Sequence, residues 1–258
     1  MSMEKWMHKD KIALVTGAAS AGGLGFAMAR RLARGGAQVW LTDIDGAGAG
    51  LRAAELRAEG LRAEGLAHDV TDKASWQAVT GAIAAAAGRL DILVNNAGIA
   101  VLHALEALEE PDWDRQIAVN LSSVYLGCRA ALGLLRAAPG GASVVNISSV
   151  AGLVGIAGAS AYAASKGGVR LMSKSLALEW AREGIRVNSV HPGVIWTDMQ
   201  QVAIRDNPAQ YDAINAAIPM GRMGAPDDIA EMVAFLASAA AGYITGGEFV
   251  VDGGLTAQ

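Results

Sequence analysis

Tyr162 and Lys166 stand four residues apart in AYAASKGGVRLMSKSLALEW, a stretch that reads as helix, so both side chains leave one face and can act on the same ligand. A lone tyrosine is a poor general base at neutral pH because its unperturbed pKa is about 10. An ammonium about 4 Å away, at an effective dielectric of about 20, stabilises a phenolate by on the order of 4 kcal/mol, roughly three pK units before desolvation losses. That brings a tyrosine into the working range of proton transfer.

A second chemical element lies near the start of the chain. Thr16-Gly17-Ala18-Ala19-Ser20-Ala21-Gly22-Gly23-Leu24-Gly25 follows an apolar β-like run and precedes a helix. Glycines permit positive φ and close approach of the backbone, and a helix N-terminus offers free N–H groups and positive dipole to a pyrophosphate. A tight strand-to-helix connection would use the same residues, but the position on a first βα unit favours a phosphate turn. Asp43 ends the next apolar run, where a carboxylate can accept hydrogen bonds from both adenosine ribose hydroxyls. Its charge would repel a 2′-phosphate, and no Arg or Lys lies between Arg34 and Arg52. NAD(H) is therefore expected in preference to NADP(H).

These groups need a scaffold that brings distant segments together. Apolar runs rich in β-branched residues recur at Lys11 to Thr16, Gln38 to Asp43, Leu66 to Val70, Asp91 to Asn95, Ala142 to Ser148, Ile185 to Val190 and Glu248 to Val251. Most are continuously apolar, as strands covered on both faces of a parallel sheet are. Helix-compatible segments lie between them: Gly25 to Arg34, Ser75 to Ala87, Trp113 to Arg136, Tyr162 to Arg182 and Asp227 to Ser238. Strict alternation predicts an α/β fold, one doubly wound domain over 1–258 with a seven-stranded parallel sheet and helices on both faces. LRAAELRAEGLRAEG at Leu51 to Gly65 reads as an exposed helix ending near Gly60. The segment at about 198–226, after the sixth strand, has the character of a substrate lid.

Composition removes other classes of function. The 258 residues contain one cysteine, Cys128, and carry a formal charge of −4, so a disulfide scaffold is excluded and neither nucleic acid nor an anionic membrane is an expected partner. Hydrophobic residues make up 52% and charged residues 18%, which excludes disorder. The start, MSMEKWMHKDKIALVTG, lacks the apolar core of a signal peptide, and the uncharged run Ala137 to Ser165 is broken by Pro139 and Asn146. A cytoplasmic location is expected. His8, His68, His103 and His191 show no ligand spacing, so no metal is expected in the chemistry.

From Lys11 to Gly254 the chain resembles the compact short-chain dehydrogenase/reductases of about 250 residues. The glycine turn, His68-Asp69-Val70, Asn95-Asn96-Ala97-Gly98, Asn120, Ile147-Ser148-Ser149, Tyr162-x-x-x-Lys166, Arg186-Val187-Asn188, Pro192-Gly193 and Val251-Asp252-Gly253-Gly254 occur in that family's order. The resemblance implies a Rossmann fold in which Tyr162 exchanges the proton, Lys166 lowers its pKa and holds the nicotinamide ribose, and Ser149, thirteen before Tyr162, bonds the reacting oxygen. Ser148 competes for that role with a spacing one short. Asn120 would hold a water linking Lys166 to solvent. For the cofactor it implies Gly17, Ser20, Gly23, Leu24 and Gly25 at the pyrophosphate, Asp69 and Val70 at the adenine, and Asn96, Ala97 and Gly98 along the adenosine. Pro192, Gly193, Ile195 and Thr197 would lie at the carboxamide. The turn departs from the family's Thr-Gly-x-x-x-Gly-x-Gly: five residues separate Gly17 from Gly23, a two-residue insertion in which Gly22 rivals Gly23 for the middle place.

The activity implied is oxidation of a secondary alcohol or reduction of its ketone. Val150, Val154, Ile156, Trp196 and Met199 are the residues expected to face substrate, and their apolar character suits an uncharged alicyclic, aromatic or medium-chain compound. Polyol oxidation, 3-oxoacyl-thioester reduction and, further off, a non-catalytic dinucleotide sensor are the competing readings. Apolar surface on Trp113 to Arg136 and Tyr162 to Arg182 exceeds what one sheet face covers, so a homotetramer is expected, with Gln258 near a second interface.

Overall fold

The computed structural model describes residues 7–198, 200 and 208–258. Met199 lies outside the described residues, as do 201–207 of the expected lid.

Seven strands, β1 (Ile12–Thr16), β2 (Gln38–Asp43), β3 (Ala63–Ala67), β4 (Ile92–Asn95), β5 (Ala142–Ile147), β6 (Ile185–Pro192) and β7 (Glu248–Val251), form one parallel sheet in the order β3-β2-β1-β4-β5-β6-β7. Alternate side chains serve two cores. Ala13, Val15, Val39, Leu41 and Val94 pack under α1 (Leu24–Arg34) and the C-terminal helix Pro226–Ala237. Ile12, Leu14, Trp40, Leu93 and Val144 pack on the opposite side under α3 (Lys73–Ala87), α5 (Ser123–Arg136) and α6 (Ser160–Trp180). The central strands are therefore covered on both faces, which is why they do not alternate, whereas the edge strands β3 and β7 are only partly buried. The remaining helices are α2 (Gly46–Ala58), α4 (Glu110–Ile117) and α7 (Pro208–Ala217), and the C-terminal helix is α8.

Two expectations are corrected. β3 runs from Ala63 to Ala67, not from Leu66 to Val70, because it is an edge strand whose partner β2 ends at Asp43, opposite Ala67. The apolarity beyond it belongs to a loop that turns inward: His68 and Val70 are buried, His68 lies edge-on to Trp76, and the Trp76 indole donates to the Val70 carbonyl. The single helix expected over Trp113 to Arg136 is interrupted by a π turn at Ala118–Ser122, which divides α4 from α5. Such turns insert one residue into the ladder and often mark functional positions, and this one carries Asn120.

Strand order reverses between β1 and β4, leaving a crevice at the C-terminal edge of the sheet. The floor beneath it is polar, and within it the Asn95 side-chain oxygen is buried without a hydrogen-bond partner among the described residues. Asn95 donates to Asn146 at 2.8 Å, and Asn146 to Ser173 at 2.9 Å, linking β4, β5 and α6. Buried amides chained in this way hold the strand ends in fixed relation.

Candidate active site

Ser149 begins the connection after β5, Tyr162 and Lys166 lie on the first turns of α6, and Asn120 sits in the π turn. The four converge on the crevice. The Tyr162 hydroxyl is hydrogen-bonded to Ser149. Lys166 Nζ is buried, donates to the Ile147 carbonyl at 2.9 Å, and stands 5.8 Å from the centroid of the Tyr162 ring. Burial pushes the Tyr162 hydroxyl above its ordinary pKa while the Ser149 bond opposes it, and burial lowers the Lys166 ammonium to about 8. Both groups are thus biased towards their neutral forms by desolvation. Ser148 and Ser149 are separated by geometry: the Ser148 hydroxyl donates to the Lys166 carbonyl at 2.8 Å and is spent there, whereas Ser149 faces the tyrosine.

Asn120 is wholly buried and its amide is fully used. Its oxygen accepts from Ile99 N at 2.8 Å, and its nitrogen donates to the Ile99 carbonyl at 2.9 Å and to Ser165 Oγ at 3.2 Å. A Cβ at Gly98 would lie 3.3 Å from both Asn120 Oδ1 and Lys166 Nζ, so that position faces the other two. His191 is buried on β6 and bonds the Ser149 carbonyl through Nδ1 at 3.1 Å and the Ser189 hydroxyl through Nε2 at 2.9 Å. It fixes the backbone from which Ser149 projects.

The glycine turn lies across the crevice. Gly17 has φ +69°, a conformation that favours glycine, and a Cβ on Gly25 would overlap the Gly17 carbonyl oxygen. Gly23 precedes α1 and Leu24 is its first residue. Asn96 does not aim its side chain outwards; it donates to the carbonyls of Thr16 and Gly17 at 2.9 and 3.0 Å, bracing the turn from β4. Its neighbour Ala97 donates through its backbone to Thr16 Oγ1 at 3.0 Å. Asp43 stands at the end of β2 and accepts from Ala19 N at 3.0 Å and Asp45 N at 3.1 Å. Asp69 caps Thr71, with bonds of 2.8 and 2.6 Å to its amide and hydroxyl. A cradle shaped by Gly17 and Gly25 beside a helix start, with a carboxylate one strand away, fits a dinucleotide.

On the far wall, Pro192 closes β6, and Gly193 approaches Asp252 so closely that a Cβ would stand 2.7 Å from it. Ile195 is buried, packs with the core and is bridged to Gly224. Thr197 follows, and Trp196 packs edge-on against Tyr211 of α7 at 5.3 Å. Val150 is buried, whereas Val154 and Ile156 are exposed at the mouth. Two charged groups beside the turn were not singled out by sequence reasoning. Asp198 accepts from Ser20 Oγ at 2.6 Å and Gly22 N at 3.0 Å, and Arg52 of α2 lies over the Phe26 ring at 5.5 Å. No local signal could have found the first, because its partners are 178 and 176 residues away.

Known proteins resemble this chain over nearly its whole length. Residues 17–256 match the family model described as enoyl-(acyl carrier protein) reductase. The chain is 45% identical to a D-threitol dehydrogenase of Mycolicibacterium smegmatis, covering 95% of this chain and 93% of that one. It is 44% identical to a cyclopentanol dehydrogenase of a Comamonas species, with coverage of 96% and 98%. Against an NADP-dependent (R)-specific alcohol dehydrogenase of Lentilactobacillus kefiri it is 39% identical, with coverage of 97% and 98%.

Proposed function

The chain belongs to the short-chain dehydrogenase/reductases, a secondary alcohol and ketone oxidoreductase using a nicotinamide dinucleotide, and from that premise we propose that it is an NAD(H)-preferring enzyme for uncharged, largely apolar alicyclic, aromatic or medium-chain alcohols. The observation that carries this reading is the convergence of Ser149, Tyr162, Lys166 and Asn120 on the crevice faced by the glycine turn.

The dinucleotide supplies the hydride acceptor or donor. In oxidation, Tyr162 Oη takes the substrate hydroxyl proton while Ser149 Oγ, held by the His191 bond to its backbone, orients the same oxygen. Lys166 would keep a positive charge next to the phenolate, and its remaining N–H donors would hold the nicotinamide ribose. Asn120 is a positioning residue: it ties Ile99 to Ser165 beside Lys166 and borders the path by which the proton leaves. Gly17, Ser20, Gly23, Leu24 and Gly25 would cradle the pyrophosphate, and Asp69, Val70, Ala97, Gly98, Pro192, Gly193 and Thr197 would line the rest of the dinucleotide. Asn96 contributes by bracing the turn. Val150, Val154, Ile156 and Trp196 would form an apolar substrate wall.

Family membership leaves the cofactor choice open, since the Lentilactobacillus relative is NADP-dependent. Asp43 supports NAD, because its charge at the end of β2 would face a 2′-phosphate. Wild-type enzyme is expected to show kcat/KM at least about tenfold higher with NAD than with NADP, equivalent to about 1.4 kcal/mol, and Asp43→Ala is expected to narrow that ratio. The assay would use cyclopentanol, 1-phenylethanol, 2-octanol and D-threitol. Equal or better use of NADP by wild type overturns the cofactor assignment, and faster turnover of D-threitol than of the three apolar alcohols turns the substrate reading to polyols.

We also propose a homotetramer. Tyr125, Leu171 and Leu178 are exposed on α5 and α6, while Phe235, Tyr243 and Val250 are exposed around the β7 edge. These are two separate apolar surfaces that association would cover. Light scattering at micromolar protein is expected to give four times the 26.4 kDa chain mass. A stable monomer contradicts association, and a dimer leaves one of the two surfaces unexplained.

A further inference from the structure

The geometry points to Asp198 as an internal anion that occupies the phosphate-binding turn and must give way when a dinucleotide binds, which makes it a determinant of cofactor affinity. This inference rests on the dinucleotide reading above and concerns a residue outside the expected binding set.

The turn is two residues longer than the family's pattern, and the added length ends at Gly22. Asp198 Oδ2 accepts from both Ser20 Oγ and Gly22 N, and a Cβ on Gly22 would overlap the carboxylate. The opposite side of the same turn is held by Asp43, through Ala19 N. Residues 19–22 are thus gripped by carboxylates from two distant elements. An oxyanion accepting an N–H and an O–H at a glycine turn makes the same bonds that a phosphate oxygen makes there. Those donors cannot serve both anions at full strength, and the two charges repel.

Arg52 supplies the complement. Its guanidinium lies over Phe26 in the first turn of α1, its Nε is buried with no hydrogen-bond partner among the described residues, and its charge helps to hold the Asp198 carboxyl below the ordinary range, after the larger effects of the Ser20 and Gly22 bonds. Its Nη2 pairs with Glu55 of the same helix at 2.7 Å, so with Asp198 displaced Arg52 leaves a partly neutralised positive charge beside the turn. The Asp198 bonds are exposed, and exposed ionic contacts contribute little to stability. The fold therefore does not depend on them, and variants at this position should fold.

The test measures Kd for NADH, ADP and adenosine by calorimetry on the full chain, in wild type, Asp198→Ala and Asp198→Asn. Loss of a competing acceptor that makes two charge-assisted bonds is expected to tighten NADH and ADP binding by about tenfold in the alanine variant, and by less in the asparagine variant, which keeps the acceptor without the charge. Adenosine, which has no phosphate, should bind as before. Unchanged or weaker NADH and ADP binding in both variants overturns the inference, and weaker binding would identify Asp198 as a clasp on the bound dinucleotide instead. An equal gain for adenosine also overturns it, since the effect would then come from reshaping the turn. If wild type and both variants bind none of NADH, NADPH and ADP, the dinucleotide reading itself has failed, and this inference falls with it.

Discussion

Replacing Tyr162 by Phe removes turnover at every pH from neutral to mildly alkaline while NADH binds within about twofold of wild type. The substitution deletes one hydroxyl and keeps the ring that lies beside Lys166 Nζ. A positioned proton-transfer group is typically worth 10² to 10⁴ in rate, roughly 3 to 5 kcal/mol of transition-state stabilisation. Ser149 cannot substitute, because a serine hydroxyl does not ionise in the accessible pH range and here it is the partner of the tyrosine. The measurements are kcat/KM across pH and NADH affinity by fluorescence. Turnover of the Phe variant above about a tenth of wild type would remove Tyr162 from the reaction.

The second large effect is at Lys166. Met at this position keeps the length and apolar stem but removes the buried charge. Turnover is expected to fall by about 10² or more. Burial already pushes the Tyr162 hydroxyl up, so loss of the cation raises it further and the alkaline rise of alcohol oxidation moves to higher pH in whatever activity remains. Affinity for NADH carries a second sign. The ammonium has its pKa lowered to about 8, so wild-type binding should weaken as pH rises from 7 to 9, with the charge-assisted bonds to the ribose lost as the amine becomes neutral. The Met variant should bind more weakly at pH 7 and show no such dependence. Its Tm should not fall far, because removing a buried ammonium relieves a desolvation cost that the Ile147 bond only partly offsets. Retained affinity with the wild-type pH dependence would show that Lys166 does not hold the dinucleotide.

Those two residues were legible in the sequence for a local reason. A spacing of four within a helix puts two side chains on one face whatever surrounds the helix. The alternation of apolar runs and helical segments was legible too, because strands covered on both faces leave a continuous apolar signature, and six of the seven strands fall where those runs lie, with ends differing by at most two residues. β3 was misplaced because an edge strand has one partner and little burial, so its sequence, Ala-Glu-Gly-Leu-Ala, carries less pattern than the inward-turned loop that follows it.

What the sequence by itself determined is the order of elements, the glycine turn with its two-residue extension, and the pairing of Tyr162 with Lys166, all of which follow from short-range spacing and from burial repeated along the chain. Only the tertiary structure decided how side chains far apart in the chain use one another. Ser148 is spent on the Lys166 carbonyl and Ser149 is not, Asn96 turns inwards to brace Gly17, and the π turn aims Asn120 at Ile99 and Ser165. Asp198 reaches a turn that precedes it by nearly the whole sheet. Hydrogen bonds are short and directional, so which donor meets which acceptor depends on strand register and on where each loop leaves the sheet, and neither is encoded within the few residues around the donor.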